Sequence, residues 1–272
     1  MRALQSVFIL VLLATTAGPV AAHEFWISPH RYTIDPGAEI IASLRVGENF
    51  NGPTSGFLPG NFSRYAIVVD GKAVEVTGRL GDDPALRMAA PQSGLAVIVH
   101  QTTNSTLRYT DWEKFTRFAR HKGFAGALAQ HKRRGLPQTD FLERYRRLAK
   151  SLIAVGHGKG RDRRVGLETE FVAEANPYTD DLRNGLPVQL FHGAAPRAGA
   201  QVEVFEKSPD GKVAVNILKT DHQGRARIPA KPGHEYLLDA VLIRPLDAKN
   251  PRSDPVWETL WAGLTYQVGR RP

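Results

Sequence analysis

The sequence contains no cysteine in its 272 residues, and this absence excludes several kinds of chemistry. Disulfide bonds, cysteine-ligated zinc, iron–sulfur clusters and cysteine nucleophiles all require the missing residue. An exported chain without cysteine must be stabilised by its hydrophobic core rather than by cross-links.

The common catalytic motifs are missing as well. The chain has no Gly-x-Ser-x-Gly elbow, no P-loop and no Gly-x-Gly-x-x-Gly fingerprint. Its nine histidines include no pair with the HxH, HxxxH or HExxH spacing of a local metal site. No catalytic residue is assigned, so enzymatic activity stays open and a non-enzymatic role is favoured.

The first 22 residues have the features of a secretory signal peptide. Arg2 supplies a positive charge, residues 7–14 are apolar, and small residues lead up to Ala22. The apolar run is shorter than the roughly 20 residues that cross a bilayer. We expect cleavage after Ala22, which gives a periplasmic or secreted chain that starts at His23 and has no transmembrane segment.

Short segments with strand character, separated by turn residues, run through most of the mature chain. Residues 39–46 and 186–191 alternate between apolar and polar, and Asp70-Gly71 is typical of a tight hairpin. These segments predict a mainly β protein with two immunoglobulin-like β-sandwich domains. We place the N-terminal domain at 23–172 and the C-terminal domain at 173–272.

A segment with helical periodicity interrupts the strand pattern. Apolar residues from Trp112 onward follow helix spacing after Asp111, a typical N-cap residue. A second helix is predicted from Asp140 to about Leu152. The first sandwich is therefore expected to carry an inserted basic helical pair at about 111–152.

The positive charge of the chain is concentrated near this insertion. Residues 114–164 contain fifteen Lys and Arg against three acids, a net charge of +12, whereas the whole chain carries +9. The segment is either a solvated face or a surface that docks an anionic surface or an acidic partner. Nucleic acid is excluded as a partner because the chain is exported and has no recognisable nucleic-acid module.

Signal-peptide cleavage would make His23 the first residue of the mature protein. A terminal histidine offers its α-amine and a ring nitrogen to the same metal ion. A second histidine would make this a site suited to copper, and amine and imidazole also suit nickel and cobalt. The alternative is that His23 only begins a frayed terminus.

Two further sets of residues are candidates for a site. His100 lies in the predicted strand 94–101, either as a structural histidine or as a second metal ligand. Trp257 and Trp261 form either part of the core or a platform that stacks on sugars.

Several short motifs together resemble a bacterial periplasmic family, the domain of unknown function 4198. They are HEFWISP (23–29), LRVGE (44–48), GDDP (81–84), NPY (176–178), LPV (186–188), TD with GR (220–225) and WETLWAGLT (257–265). The family is loosely described as a periplasmic component of nickel or cobalt uptake.

The resemblance implies a secreted β protein that binds a divalent metal and serves a metal-uptake membrane system. It makes His23 the expected ligand. Family members often have Ala-Val-His-Met where this chain has residues 240–243, and Leu242 cannot bind a metal. The chain has therefore either lost that ligand or uses another residue in its place, such as His100.

Three hypotheses remain. The favoured one is a periplasmic protein that binds nickel, cobalt or copper through His23 for uptake or delivery. The others are a terminal-histidine copper oxygenase and a non-catalytic module that docks an anionic surface or partner.

Overall fold

The computed structural model describes residues 23–269, so the predicted signal peptide lies outside the described residues. The first strands are β1 (Glu24–Pro29), β2 (Thr33–Ile34), β3 (Glu39–Gly47), β4 (Thr54–Ser55), β5 (Phe62–Val69), β6 (Lys72–Glu75), β7 (Leu86–Ala89), β8 (Gly94–Thr102) and β9 (Ser105–Tyr109). A 3-10 turn at Pro59–Asn61 precedes β5, and the helices α1 (Trp112–His121) and α2 (Ala125–Arg133) follow β9.

The second half of the described chain consists of strands and connecting loops. The strands are β10 (Phe141–Val155), β11 (Thr169–Ala173), β12 (Leu186–His192), β13 (Ala195–Pro196), β14 (Gln201–Lys207), β15 (Val213–Lys219), β16 (Arg225–Ile228), β17 (Glu235–Pro245) and β18 (Pro255–Gln267). The chain is therefore mainly β, as predicted. Within residues 23–269, neither helix has the length and apolar character that a bilayer crossing demands.

The strands form one long sheet and two smaller ones. The long sheet has the order β15-β14-β17-β18-β10-β8-β5-β6, with β2 and β9 also paired to β10. One small sheet contains β1, β3, β4 and β7, and the other contains β11, β12, β13 and β16. The parallel pairing of β10 with β18 joins strands from the two predicted domains into the same sheet, and the division into two domains stays a prediction.

The long sheet is the middle layer of a sandwich. Leu95 and Val97 of β8 belong to the core formed with β11 and β12. Ala96 and Ile98, which alternate with them, belong to the core formed with β1 and β3. Because neighbouring residues of a strand point to opposite faces, the two small sheets cover opposite faces of the long one.

The helical pair packs beside β1 on the same face of the long sheet. Asp111 caps α1 by accepting a hydrogen bond from the backbone N–H of Lys114 at 2.7 Å, as its sequence position predicts. Phe115 of α1 lies against Trp257 of β18, and both are buried in a third core cluster. Trp257 and Trp261 are therefore core residues.

The predicted second helix at 140–152 is wrong, because β10 occupies Phe141–Val155. Its apolar residues have helix-like spacing, but β10 is central in the sheet and is covered on both faces. Charged residues on this strand are buried with partners: the ammonium of Lys150 lies 2.7 Å from the carboxylate of Asp162. Strand alternation is lost from the sequence when both faces are buried.

Candidate functional site

His23 lies at the exposed start of β1, beside the first residue after β3. Glu24 pairs with Gly47 of β3, which places His23 opposite Glu48. The His23 Nε2 atom is 3.6 Å from Glu48 Oε1, and the two side chains are 54% and 37% exposed. The Arg147 guanidinium donates to the His23 carbonyl oxygen at 3.4 Å. Strand pairing thus begins at Glu24, directly after His23, and the His23 ring remains accessible.

This placement suits a terminal chelate. The α-amine and Nδ1 of one histidine can chelate a single ion, whereas Nε2 points away from that ion. In this protein Nε2 is the nitrogen that faces a carboxylate. A carboxylate on the outer ring nitrogen fixes the tautomer and orientation of a ligating histidine. Glu48 is therefore placed to position the His23 ring rather than to bind the metal itself.

His100 is in a different environment. Its side chain is 3% exposed, and its ring centroid lies 5.1 Å from that of Phe25, 5.4 Å from Phe62 and 4.9 Å from Tyr65. Burial lowers the pKa of His100 to about 3, so its ring is neutral at neutral pH. Its Nδ1 atom is buried without a hydrogen-bond partner.

The structure gives no close ligand set that contains either predicted histidine. Within residues 23–269, neither His23 nor His100 belongs to a group of three His, Asp or Glu ligand atoms within 4.8 Å of one another. Binding of one ion by both residues stays a prediction. Leu242 packs into the core on the β11–β12 side of the long sheet, on the opposite face from β1.

A buried acidic cluster lies directly behind His23, and sequence reasoning missed it. The Lys122 ammonium lies 3.2 Å from Glu24, 2.8 Å from Glu203 and 3.0 Å from Asp239. All four side chains are buried. We call this group the Lys122 cluster.

Three parts of the fold meet at the Lys122 cluster. Glu203 of β14 and Asp239 of β17 are cross-strand partners in the long sheet. Glu24 comes from β1, and Lys122 follows the last residue of α1. The Lys122 ammonium also lies 4.9 Å from the centre of the Trp261 ring, a cation–π contact. The lysine thereby attaches the helical pair to both sheets.

The electrostatics of the cluster show incomplete charge compensation. Burial raises the pKa of Glu24 to about 7, with the Asp239 and Glu203 carboxylates acting in the same direction and Lys122 against it. Burial alone would lower the pKa of Lys122, but the three carboxylates raise it above its usual value, so the ammonium stays charged. Oxygen atoms of the three acids lie within 4.8 Å of one another. The Lys122 ammonium occupies the position that a metal cation would need between these acids.

The basic segment at 114–164 is divided between several environments. Lys122 and Lys150 are buried, and Arg144 donates to Glu258 at 2.8 Å. The exposed members are Arg117, Arg120, Lys132, Arg133, Lys159, Arg161, Arg163 and Arg164. His131 of α2 is fully buried, and its Nδ1 accepts a hydrogen bond from the Trp257 indole at 3.0 Å.

These features define a β-sandwich protein with an inserted helical pair and a histidine at the start of its first strand. The family profile described as "Domain of unknown function (DUF4198)" matches residues 20–244. The chain belongs to this family. No curated protein matches the chain.

Several solved structures share only distant similarity with the chain. A tetra-tandem repeat from the extending region of a large adhesion protein is 10% identical, with a TM-score of 0.22 over 89% of this chain and 49% of that chain. A mutant of Salmonella alpha-2-macroglobulin is 12% identical, with a TM-score of 0.22 over 89% of this chain and 14% of that chain. Alpha-2-macroglobulin from Escherichia coli is 12% identical, with a TM-score of 0.23 over 90% of this chain and 20% of that chain. The chain thus spans half or less of the length of each of these proteins.

Proposed function

We propose that this protein is exported and binds a divalent transition metal ion, nickel, cobalt or copper, at its processed amino terminus. The amine and Nδ1 of His23 would be the chelating atoms. The supporting observation is that Nε2 of His23 faces Glu48 at 3.6 Å, which leaves Nδ1 for the ion. The loose description of the family as a component of nickel or cobalt uptake agrees with this proposal.

Exposure of His23 favours transfer of a metal over permanent storage. A single histidine supplies two ligands, so the remaining coordination positions would be filled by water or by a receiving protein. The half-exposed ring lies at the edge of the sandwich, where a second protein can reach it. This is consistent with uptake or delivery, with a membrane transport system as the partner.

The copper oxygenase hypothesis needs a second histidine on the same ion. His100 is enclosed by three aromatic rings, and its burial makes ligation at the exposed terminus less favourable than ligation by His23 alone. The geometry thus favours metal binding without redox catalysis. The docking hypothesis is weakened because part of the basic segment is buried or paired.

Calorimetric titration of the mature chain tests the proposal. The protein is prepared with a free His23 amine and titrated separately with Ni(II), Co(II) and Cu(II). We expect one ion per chain, with binding lost in His23→Ala and in a form extended by two residues before His23. The extended form is the sharper control because it keeps the imidazole and removes only the free amine. Equal binding by the extended and the authentic forms would overturn the proposal.

A further inference from the structure

A small cavity lies beside β1, next to the candidate metal site, and neither His23 nor Glu48 lines it. It has a volume of about 200 Å³ and opens between β1, β8 and β10. Phe25, Phe62, His100, Tyr145 and Arg147 contribute to its wall. The cavity therefore combines aromatic surface with one cationic side chain and several neutral polar ones.

Arg147 is a cation without a carboxylate partner. Its guanidinium carbon lies 5.0 Å from the centre of the Tyr145 ring and 5.9 Å from that of Phe25, so the group is packed against aromatic rings. Among residues 23–269, no Asp or Glu lies within ion-pair distance of it. Its Nε–H is buried without an acceptor, and a terminal N–H of its guanidinium donates to the His23 carbonyl oxygen.

The neighbouring arginines of β10 have the carboxylate partners that Arg147 lacks. Arg144 donates to Glu258 at 2.8 Å, and Arg146 donates to Glu168. These two residues project from one face of β10, whereas Arg147 projects from the other, toward β1 and the cavity. Burial lowers the pKa of Arg147 from its usual value, although the more distant carboxylates of Asp239, Glu24 and Glu143 act in the opposite direction.

His100 adds a buried nitrogen without a hydrogen-bond partner to the wall of the cavity. It is 3% exposed, and its Nδ1 atom has no hydrogen-bond partner. A buried polar atom without a partner costs roughly 1–3 kcal/mol, and the wall of this cavity contains two such atoms, His100 Nδ1 and Arg147 Nε. Both costs would be reduced by a ligand that accepts hydrogen bonds from Arg147 and interacts with the neutral imidazole.

We propose that this cavity binds a small organic carboxylate, with the carboxylate group on Arg147 and an apolar body between Phe25 and Phe62. The planar guanidinium matches a carboxylate with two parallel hydrogen bonds, and the aromatic walls accept a flat apolar group. The volume is below the roughly 300–1,000 Å³ of sites for drug-sized ligands, so the ligand contains about one ring or a short chain. This inference does not depend on the metal proposal.

Benzoate is the probe that tests the inference, with benzamide as its neutral equivalent of nearly the same shape. Metal-free mature protein is titrated with both compounds and with inorganic phosphate, and binding is followed by nuclear magnetic resonance. We expect benzoate to bind at least tenfold more tightly than benzamide. We also expect nuclear Overhauser contacts from the benzoate ring to the Phe25 and Phe62 rings. Equal binding of benzoate and benzamide, or tighter binding of phosphate, would overturn the inference.

Substitutions of Arg147 test whether this residue binds the benzoate carboxylate. Arg147→Met is expected to weaken benzoate binding at least tenfold, and Arg147→Lys several-fold, since lysine keeps the charge but loses the planar fork. Arg117→Met removes the same charge from an exposed position on α1 and is expected to leave binding unchanged. An equal effect of Arg117→Met and Arg147→Met would contradict the assignment. The Overhauser contacts in the unmodified protein decide the matter even if Arg147→Met does not fold.

Discussion

The ammonium of Lys122 lies 2.8 Å from a carboxylate oxygen of Glu203, although 81 residues separate the two in the chain. Glu24 and Asp239 surround the same ammonium. One lysine thus joins the end of α1 to β1 and to two strands of the long sheet. Because β1 begins with Glu24, the cluster also fixes the position from which His23 projects.

Lys122→Met is expected to destabilise the protein by about 3–5 kcal/mol at pH 8. The substitution leaves three buried carboxylates without their cation, and removal of one partner from a buried ion pair has a cost of this size. The loss should be smaller at pH 5, where the carboxylates can bind protons. Urea unfolding at both pH values measures it.

Lys72→Met is the matched control for this experiment. Lys72 is exposed on β6, so its replacement should change the free energy of unfolding by less than about 0.5 kcal/mol. A loss below about 1 kcal/mol for Lys122→Met at pH 8 would show that the three acids are better solvated than the structure indicates.

Glu24→Gln is expected to reduce the pH dependence of stability. Burial raises the pKa of Glu24 from 4.5 to about 7 in the folded protein, so the folded state retains a proton that the unfolded state loses. The stabilisation that this bound proton provides is fully present below pH 4.5 and is lost as pH rises toward 7. Between pH 4.5 and pH 8, the free energy of unfolding of the variant should rise by roughly 3 kcal/mol relative to that of the unmodified protein.

The comparison with the unmodified protein isolates Glu24. Lys122, Glu203, Asp239 and His121 titrate in both proteins, and glutamine still accepts a hydrogen bond from Lys122. Glu75→Gln, on the exposed strand β6, should leave the pH profile unchanged. Parallel pH profiles for Glu24→Gln and the unmodified protein would contradict the assigned shift.

Glu48→Gln is expected to weaken metal binding at the terminus by about 10- to 100-fold. The Glu48 carboxylate lies 3.6 Å from Nε2 of His23, where its charge can orient the ring, and loss of such an outer partner reduces affinity by this factor. Glu75→Gln is the control of equal charge change. If calorimetry gives the same affinity for both variants, Glu48 does not position the ligand.

Gly263→Ala is expected to destabilise the protein by about 1 kcal/mol or more. A Cβ atom at this position would lie 3.1 Å from the carbonyl oxygen of Phe25, where β1 crosses the long sheet. The added methyl group must therefore displace β1 or β18. Thermal unfolding measures the loss.

Gly126→Ala provides the contrasting substitution. Gly126 lies in α2 with open space around its Cα, and alanine is the better helix former. This variant should be unchanged or more stable by up to about 1 kcal/mol. If both glycine variants lose stability equally, close approach of β1 is not the cause.

Local signals account for the parts of the fold that were predicted correctly. Asp111 caps α1 because its side chain meets the N–H of Lys114, a contact set by residues three apart. The strand β8 was predicted because residues 95–99 form a continuous apolar run. The strand β10 was missed because its two buried faces remove the alternation that identifies a strand.

The sequence by itself determined the mainly β class, the first inserted helix and the family, because these depend on residue periodicity, caps and ordered short motifs. It also identified His23 as a candidate ligand. Only the tertiary structure decided which charges are buried together: Lys122 meets Asp239 across 117 residues. It likewise placed Arg147 and His100 at one cavity. Such contacts depend on how strands are ordered in the sheets, and no local spacing in the chain encodes that order.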